Sequence, residues 1–363
     1  MLSDLNRREF IATATLATAA VVAPPSLLAA DTKLTLAWLG AAHIHTPGFI
    51  TLLKGRADVR VRSVWDHDAA RAAKCAEALG SRVETDLKSI WSDREITGVV
   101  ICSETDRHRD LVLAGAAAGK HMFVEKPLGI TAKDSRSMAE AMERAGVLFT
   151  TGYFMRTDPQ LLFLKQEVMA GRFGKITRVR GSNCHNGSLG GWFDTEWRWM
   201  ADPKQAGVGG FGDLGTHKLD ILIWLFGPVE SVTGAVQVVT GRYGECDESG
   251  EAMLRFANGI TGTLAAGWVD LEDPVQLLIS GTEAHATIVN GQLYYRNKKV
   301  AGADGKTPFT QLPKAPRAPL HQWLDAQAGQ RDQPLVKPSE AAERVKVMEA
   351  IYLAARKKTW VKV

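Results

Sequence analysis

The feature that most constrains the fold is a regular alternation of short apolar runs and helical stretches between residues 34 and 150. The apolar runs are Leu34–Leu39, Val59–Trp65, Gly98–Cys102, His121–Val124 and Leu148–Gly152. Helices are expected at 68–79, 110–118 and 132–145. Strands that are apolar along their whole length are typical of parallel sheets with both faces covered. The pattern therefore predicts a doubly wound α/β domain of the Rossmann type.

The pattern changes after about residue 153, where β-rich runs follow one another without intervening helices. These runs are Ile176–Ser182, Val229–Thr240, Ala252–Phe256, Ile260–Val269 and Val275–Val289. Strands that lack crossover helices usually pair antiparallel. Residues 153–363 are therefore expected to form an α+β domain with an open, mostly antiparallel sheet, and helical periodicity returns at 321–328 and 339–357.

The first thirty residues have the features of an export signal. Arg7-Arg8 precedes an apolar run, Ile11–Val22, and small residues follow at 28–30. Paired arginines with a modest apolar run are typical of a twin-arginine signal peptide. A membrane span needs about 20 apolar residues, so an anchor is disfavoured. We expect residues 1–30 to direct the protein to the twin-arginine export machinery and the periplasm, and residues 31–152 to be the first domain.

The charge balance and the cysteines exclude several classes of partner. The chain has 44 basic and 40 acidic residues, for a net charge of +4, and no run of Lys or Arg. This balance argues against nucleic acid and membrane surfaces as partners. The cysteines lie far apart, without a C-x-x-C pair, so a cysteine metal site is not expected.

The end of the first apolar run is the candidate dinucleotide loop, Leu39-Gly40-Ala41-Ala42-His43-Ile44-His45. A dinucleotide fold favours G-x-G-x-x-G here, because bare backbone can then approach the pyrophosphate. Only Gly40 fits, since Ala42 and His45 occupy the other two glycine positions. Asp66 ends the second run, where a carboxylate accepts the ribose hydroxyls of NAD. Arg71 keeps NADP open, and a helix-capping role for Asp66 is the alternative.

Two later motifs have the residues for acid–base chemistry. Glu125-Lys126-Pro127 ends a strand, so Lys126 projects into the crevice where α/β sheets bind ligands. A glycine-rich stretch, 207–212, then opens a helix that carries Asp213 and His217 four residues apart. This spacing places both side chains on one helical face. His217 is suited to act as a general base, and Lys126 to donate to a substrate oxygen.

Together these two motifs resemble those of the Gfo/Idh/MocA family of nicotinamide-dependent oxidoreductases. The resemblance extends from about residue 33 to the end of the chain. It implies an NAD(P)-binding Rossmann domain, a second domain for substrate binding and oligomerisation, and a homodimer or homotetramer. It also implies that Lys126, Asp213 and His217 are catalytic.

The resemblance further implies which residues line the cofactor. Residues 103–108 lie where the family has Thr-Pro-Asn and then His; His108 matches, whereas Glu104 replaces the proline and Thr105 the asparagine. The candidate cofactor residues are Gly40, Ala42, His43, His45, Asp66, Ser103, Thr105, His108, Glu125 and Lys126.

The candidate substrate residues are Tyr153, Arg156, His185, Trp192 and Arg198. The first two match the family's entry into the second domain, although core and salt-bridge roles are open alternatives. The other three belong to an aromatic segment that also holds Trp197 and Trp199. Indoles stacking on sugar rings would suit a carbohydrate pocket, and a core or interface role is again the alternative.

A metal-dependent hydrolase is a competing interpretation. His43 and His45 after a first strand could ligate zinc together with Asp213, His217 or His185. The strand–helix repetition of such a barrel stops after residue 153, and zinc gives no reason for Glu125-Lys126-Pro127. We therefore expect no metal.

The expected activity is oxidation or reduction of a CH–OH group of a sugar, with NAD as cofactor and NADP as the alternative. An exported enzyme meets no pool of free nucleotide, so the cofactor is expected to be tightly bound and regenerated in place. Coupled oxidation and reduction of two sugars, or a transient oxidation that assists glycoside hydrolysis or elimination, both remain open.

Overall fold

Two sheets organise residues 34–363, the part of the chain that the computed structural model describes. The predicted signal peptide lies outside the described residues. The strands of the first sheet are β1 (Leu34–Leu39), β2 (Val59–Trp65), β3 (Arg82–Val83), β4 (Gly98–Ile101), β5 (His121–Val124) and β6 (Phe149–Thr151). The helices between them are α1 (Thr46–Lys54), α2 (Ala69–Leu79), α3 (Leu87–Ser92), α4 (Thr105–Ala117) and α5 (Ala132–Ala145).

The first sheet is parallel throughout, in the order β3-β2-β1-β4-β5-β6. This order is that of a Rossmann fold, and it reverses direction between β1 and β4, where such sheets bind their ligands. The Rossmann prediction is confirmed. The prediction for α4 was wrong at its start, because the helix begins at Thr105 and not at 110. Its first turns carry charged residues, which hid the apolar periodicity.

The second sheet has eight strands. They are β7 (Ile176–Cys184), β8 (Val229–Gln237), β9 (Ser249–Phe256), β10 (Thr261–Gly267), β11 (Val275–Gly281), β12 (Ala284–Val289), β13 (Gln292–Asn297) and β14 (Val361–Lys362). The helices of this half are α6 (Pro159–Met169), α7 (Pro203–Ala206), α8 (Gly210–Phe226), α9 (Pro319–Gln327) and α10 (Pro338–Lys357).

The order of the second sheet is β13-β12-β11-β7-β10-β9-β8-β14, and only the β7–β10 pair is parallel. The predicted open, mostly antiparallel sheet is therefore confirmed. The run Val275–Val289, which the sequence presents as one strand, folds into β11 and β12, which pair as a hairpin. Gly281, Thr282 and Glu283 mark the turn between the two strands, and the prediction did not use that signal.

Helix α8 and the helices after it fix how the two sheets meet. Nearly every residue of α8 is buried, because it packs on β7, β9 and β10 with one face and on α6 and α10 with others. Helix α9 returns to the first sheet, where Leu320 and Trp323 join the core of β1, β4 and β5. The core of the first domain thus includes residues well beyond 152. None of the helices described is long and apolar enough to cross a membrane.

A buried ion network ties α8 to α10 and to the start of the second domain. Asp220 accepts hydrogen bonds from Arg156 at 2.6 and 2.8 Å and from Arg344 at 2.9 Å. Glu340 lies 3.3 Å from Arg156. The side chains of Asp220 and Arg344 are almost completely buried. Removing the carboxylate would therefore leave two buried guanidinium groups without their main partner.

We expect Asp220→Ala to lower the free energy of unfolding by about 3–5 kcal/mol, the usual cost of breaking a buried ion pair. Lys299→Ala is the control, because its pair with Glu283 is exposed and is expected to contribute no more than about 1 kcal/mol. Chemical denaturation of both variants measures the difference. A loss in Asp220→Ala no larger than in the control would contradict a supporting role for the network.

Candidate active site

Lys126 and Asp213 meet where the first sheet faces α8. Lys126 is the second residue after β5, and Asp213 lies in the first turn of α8. The Lys126 ammonium donates to Asp213 Oδ1 at 2.7 Å, and the Trp268 indole donates to Oδ2 at 3.1 Å. Burial alone would raise the pKa of Asp213, but the charge of Lys126 outweighs it and holds that pKa far below its usual range. The pair is therefore ionised, with its ammonium fixed in position.

His217 lies one helical turn after Asp213 on α8 and is 3% exposed. Its Nδ1 is buried and has no hydrogen-bond partner. The ring packs against Phe154 at 4.9 Å, Tyr153 at 6.2 Å and His45 at 6.4 Å between centroids. Burial, followed by the charge of Lys126, lowers the pKa of His217 well below that of an ordinary histidine. A neutral ring with a free nitrogen is able to accept a proton from a substrate.

A second buried cluster lies beside the first and consists of Glu125, His43 and His45. The Glu125 carboxylate is fully buried, with His45 Nδ1 at 3.3 Å and His43 Nε2 at 3.8 Å. Burial would raise the pKa of Glu125, but the two histidines lower it further than burial raises it. Burial lowers the pKa of His43 to about 3. Glu125 is thus a buried anion that accepts from the backbone N–H of Lys126 at 2.9 Å and lies next to two imidazoles.

These three side chains are also close enough to bind a metal ion, because their potential ligand atoms lie within 4.8 Å of one another. The tautomer of His43 argues against that role. Its Nδ1 accepts a hydrogen bond from the backbone N–H of His45 at 3.2 Å. A neutral imidazole has one free lone pair, so Nε2 carries the proton and faces Glu125. As arranged, the cluster is a hydrogen-bonded charge cluster.

The loop after β1 is built for close approach of backbone. Gly40 has φ +76°, and a Cβ there would lie 2.5 Å from Ser103. Glycine is therefore required at this position. Ala42 and His43 are both about 2% exposed, whereas the His45 side chain is 34% exposed. Of the two histidines, His45 presents more surface to a bound dinucleotide.

Asp66 directly follows β2 and is hydrogen-bonded to the loop after β1. Its Oδ2 accepts from the backbone N–H of Ala41 at 2.7 Å, and its Oδ1 accepts from the N–H of Asp68 at 2.9 Å. Asp68 itself caps α2 by accepting from Ala70 and Arg71. The alternative in which Asp66 is the helix cap is therefore not what the structure shows.

The other cofactor candidates lie at the end of β4 and are deeply buried. Ser103, Thr105 and His108 are at most 2% exposed. The two ring nitrogens of His108 lie 3.2 Å from the Leu128 carbonyl and 3.3 Å from the Ser103 carbonyl. His108 thus connects the loops that follow β4 and β5, and it is itself buried beneath them.

Of the substrate candidates, Tyr153 and Arg156 contact α8, whereas His185, Trp192 and Arg198 lie in the aromatic segment. Tyr153 contacts His217 and pairs with Thr216 at 3.1 Å, while Arg156 is engaged in the ion network of α8. His185 is half-buried, and its ring lies 4.8 Å from that of Trp192. Arg198 is exposed and stacks on Tyr243 at 4.7 Å. The structure therefore places Tyr153 beside His217, whereas Arg156 belongs to an ion network.

Two tryptophans make contacts at the site that were not predicted, although Trp199 was named as part of the aromatic segment. Trp268 holds Asp213, and Trp199 donates from its indole to the Ala42 carbonyl at 2.9 Å. Trp199 therefore connects the second domain to the dinucleotide loop. Nothing in a local sequence pattern distinguishes such an indole from a core tryptophan, and only the meeting of the two domains gives it a partner.

A dinucleotide fits this edge of the first sheet. Gly40 lets the loop pack directly against Ser103, and His217 Nδ1 and Glu104 Oε2 are buried polar atoms that lack partners. A cleft of about 510 Å³ opens beside the loop and is lined by residues that include Ala41, Arg71 and Trp197. A cleft of this size near unsatisfied polar atoms is typical of a ligand-binding site.

Comparison with known proteins agrees with this geometry. Residues 35–153 match the NAD-binding Rossmann model of the Gfo/Idh/MocA oxidoreductases, and 161–287 match the C-terminal domain model of the same family. The levoglucosan dehydrogenase of Pseudarthrobacter phenanthrenivorans is 29% identical over 54% of this chain, and the match spans 55% of that relative's length. The scyllo-inositol 2-dehydrogenase (NAD(+)) of Bacillus subtilis is 26% identical over 73% of this chain and 75% of its own length.

The fold extends further than these sequence matches. The aldose-aldose oxidoreductase of Caulobacter crescentus superposes with a TM-score of 0.76 at 20% identity, covering 91% of this chain and all of that one. Both domain models and the two-sheet architecture therefore lead to one conclusion: the chain belongs to the Gfo/Idh/MocA family of oxidoreductases and has that family's NAD-binding Rossmann domain.

Proposed function

We propose that the chain is an NAD-dependent dehydrogenase that oxidises a CH–OH group of a sugar or cyclic polyol, or catalyses the reverse reduction. The observation that carries the proposal is the Lys126–Asp213 pair next to the unpartnered Nδ1 of His217, all buried in one crevice. The family membership supports the reaction type. The names of the relatives, which act on levoglucosan and scyllo-inositol, support the substrate class.

In this proposal each residue has a separate role in the reaction. Bound NAD supplies the hydride acceptor. His217 Nδ1 accepts the hydroxyl proton, which a neutral ring does without first losing one of its own. The Lys126 ammonium donates a hydrogen bond to the reacting oxygen and stabilises the negative charge that develops there. Asp213 and Trp268 keep that ammonium in place.

The aromatic segment supports a carbohydrate as substrate. Trp192 is 45% exposed and lies against the His185 ring. An exposed indole offers a flat apolar surface for the C–H face of a sugar, and a half-buried imidazole offers a hydrogen-bonding partner for hydroxyls. In this proposal His185 and Trp192 bind the substrate, while Tyr153 orients His217.

We also propose that the enzyme is exported through the twin-arginine pathway with its cofactor bound. Arg7-Arg8 and the weakly apolar run after them support export. In a compartment without free nucleotide, turnover requires a second substrate that returns the hydride, or a redox-assisted cleavage that regenerates the cofactor in place.

A homodimer or homotetramer through the second sheet is proposed as well, since Met253 and Trp360 of this half are more than 40% exposed.

The first test removes the two acid–base groups. Lys126→Ala and His217→Ala should each lower kcat by at least about 100-fold, the usual size of a general acid–base contribution. Both variants should keep the circular dichroism spectrum of the wild type. Lys204→Ala and His285→Ala are matched controls outside the crevice and should stay within about twofold of wild type. Levoglucosan and scyllo-inositol are the first substrates to assay, and near-normal turnover in both crevice variants would contradict the assignment.

The pH dependence of oxidation tests the state of His217. Its pKa is lowered, so the ring stays neutral, and active as a base, to pH values below those at which an ordinary histidine becomes protonated. The acidic limb of kcat/KM against pH should therefore lie below about 6.5, the unperturbed value. An acidic limb at or above that value would show that His217 is not the group that takes the proton.

Cofactor retention separates the dehydrogenase from the metal hydrolase. The purified protein should carry about one nicotinamide dinucleotide per chain that survives dialysis, as expected of a resident cofactor. Acid release followed by chromatography measures the nucleotide, and metal analysis is run on the same sample. Protein without nucleotide but with about one zinc per chain would replace this proposal with the hydrolase.

A further inference from the structure

Asp66, the residue that the sequence assigns to the ribose of the cofactor, has no lone pair left to offer. Besides the backbone N–H groups of Ala41 and Asp68, it accepts from Arg71 Nε at 3.1 Å and from Arg71 Nη2 at 2.9 Å. A carboxylate has about four lone-pair sites, so all are used. Its side chain is also completely buried. Asp66 therefore holds the loop and the arginine in place and does not present itself to a ligand.

Glu104 lies nearby and, unlike Asp66, has a carboxylate oxygen without a hydrogen-bond partner. It is the residue before α4, and its Oε1 accepts from the same Arg71 Nη2 at 2.8 Å. The residue is 4% exposed, and its Oε2 is buried without a hydrogen-bond partner. The nearest cation, Arg107 Nε, is 3.6 Å away, beyond hydrogen-bonding distance. A buried carboxylate oxygen without a donor is costly unless a ligand supplies one.

From this contrast we propose that Glu104, rather than Asp66, is the carboxylate that accepts the adenosine ribose hydroxyls of NAD and thereby selects NAD over NADP. A ribose hydroxyl is a hydrogen-bond donor, which Glu104 Oε2 lacks. A 2′-phosphate has only acceptor oxygens at neutral pH and would bring like charge next to that oxygen. This proposal concerns the nucleotide alone and holds whichever alcohol is oxidised.

The position of Arg71 strengthens the selection. An arginine beyond β2 would ordinarily favour NADP by binding its 2′-phosphate. Here its guanidinium is shared between Asp66 and Glu104, two buried carboxylates facing one cation. Because both carboxylates hold it, Arg71 is not free to turn toward a 2′-phosphate. Glu104 thus acts twice, as an acceptor for the hydroxyl and as a restraint on Arg71.

Equilibrium dialysis of protein that has been unfolded to remove its resident nucleotide and then refolded, against equal concentrations of NAD and NADP, tests the proposal without any turnover. The bound nucleotides are released by acid, and their ratio gives the relative affinity. The wild type should favour NAD, and Glu104→Gln, which keeps the size of the side chain, should lower the NAD:NADP ratio by at least about tenfold, the usual effect of a hydrogen bond to a charged group. Asp106→Asn is the matched control, because it removes an exposed negative charge from the same turn and should leave the ratio within about twofold.

A second probe tests whether Glu104 binds the 2′-hydroxyl of the adenosine ribose. With NAD that lacks the 2′-hydroxyl of the adenosine ribose in place of NADP, the wild type should lose about tenfold in affinity relative to NAD. Glu104→Gln should lose much less, because its amide oxygen stays with Arg71 and its NH2 group, a donor, takes the place of Oε2. The proposal is overturned if the Glu104→Gln ratios match those of the wild type. It is also overturned if Asp106→Asn changes them equally, or if Asp66→Asn abolishes the preference while Glu104→Gln does not.

Discussion

The ion pair between Lys126 and Asp213 is the interaction on which the rest of the site depends. Lys126 belongs to the first domain and Asp213 to the second, so the pair sets the position of one domain's strand ends against the other's longest buried helix. Both charges are largely removed from water, and each would be costly without the other. Because Asp213 lies in the first turn of α8, fixing it also fixes His217 one turn later. The distance between the Lys126 ammonium and His217, the proposed general base, therefore depends on helical geometry.

The distribution of charge around this pair explains the state of each ionisable group. Glu125 is a buried anion close to His43 and His45, whereas Lys126 is a buried cation next to Asp213. The positive charge of Lys126 and the surrounding burial keep His217 neutral. The crevice therefore contains the Lys126–Asp213 ion pair, the Glu125 anion and a neutral His217. In the proposed reaction, a neutral base beside a fixed cation would favour negative charge on a reacting oxygen between them.

Much of this arrangement was predictable from local sequence, and the reasons for the failures are physical. The parallel sheet, the second sheet and the face shared by Asp213 and His217 follow from periodicities that backbone geometry imposes. The start of α4 was missed because its first turns are made of polar residues, of which Thr105 and His108 are nevertheless buried. The contacts of Trp199 and Trp268 were missed because they join segments distant in sequence. Arg156 illustrates the same limit, since its partner Asp220 is supplied by a helix more than sixty residues away.

The chain's departures from the dinucleotide motif are concentrated on one side of the site. Ala42, His45 and Glu104 replace the residues expected there, whereas Lys126, Asp213 and His217 keep the expected acid–base set. Each departure changes how a nucleotide would be held, since side chains replace bare backbone on the loop and a carboxylate replaces a proline. None of them belongs to the Lys126–Asp213 pair, but His45 lies 3.3 Å from Glu125 and its ring centroid lies 6.4 Å from that of His217. His45 therefore connects the loop proposed to hold the nucleotide with the residues proposed for proton transfer, so the two parts of the site share one contact.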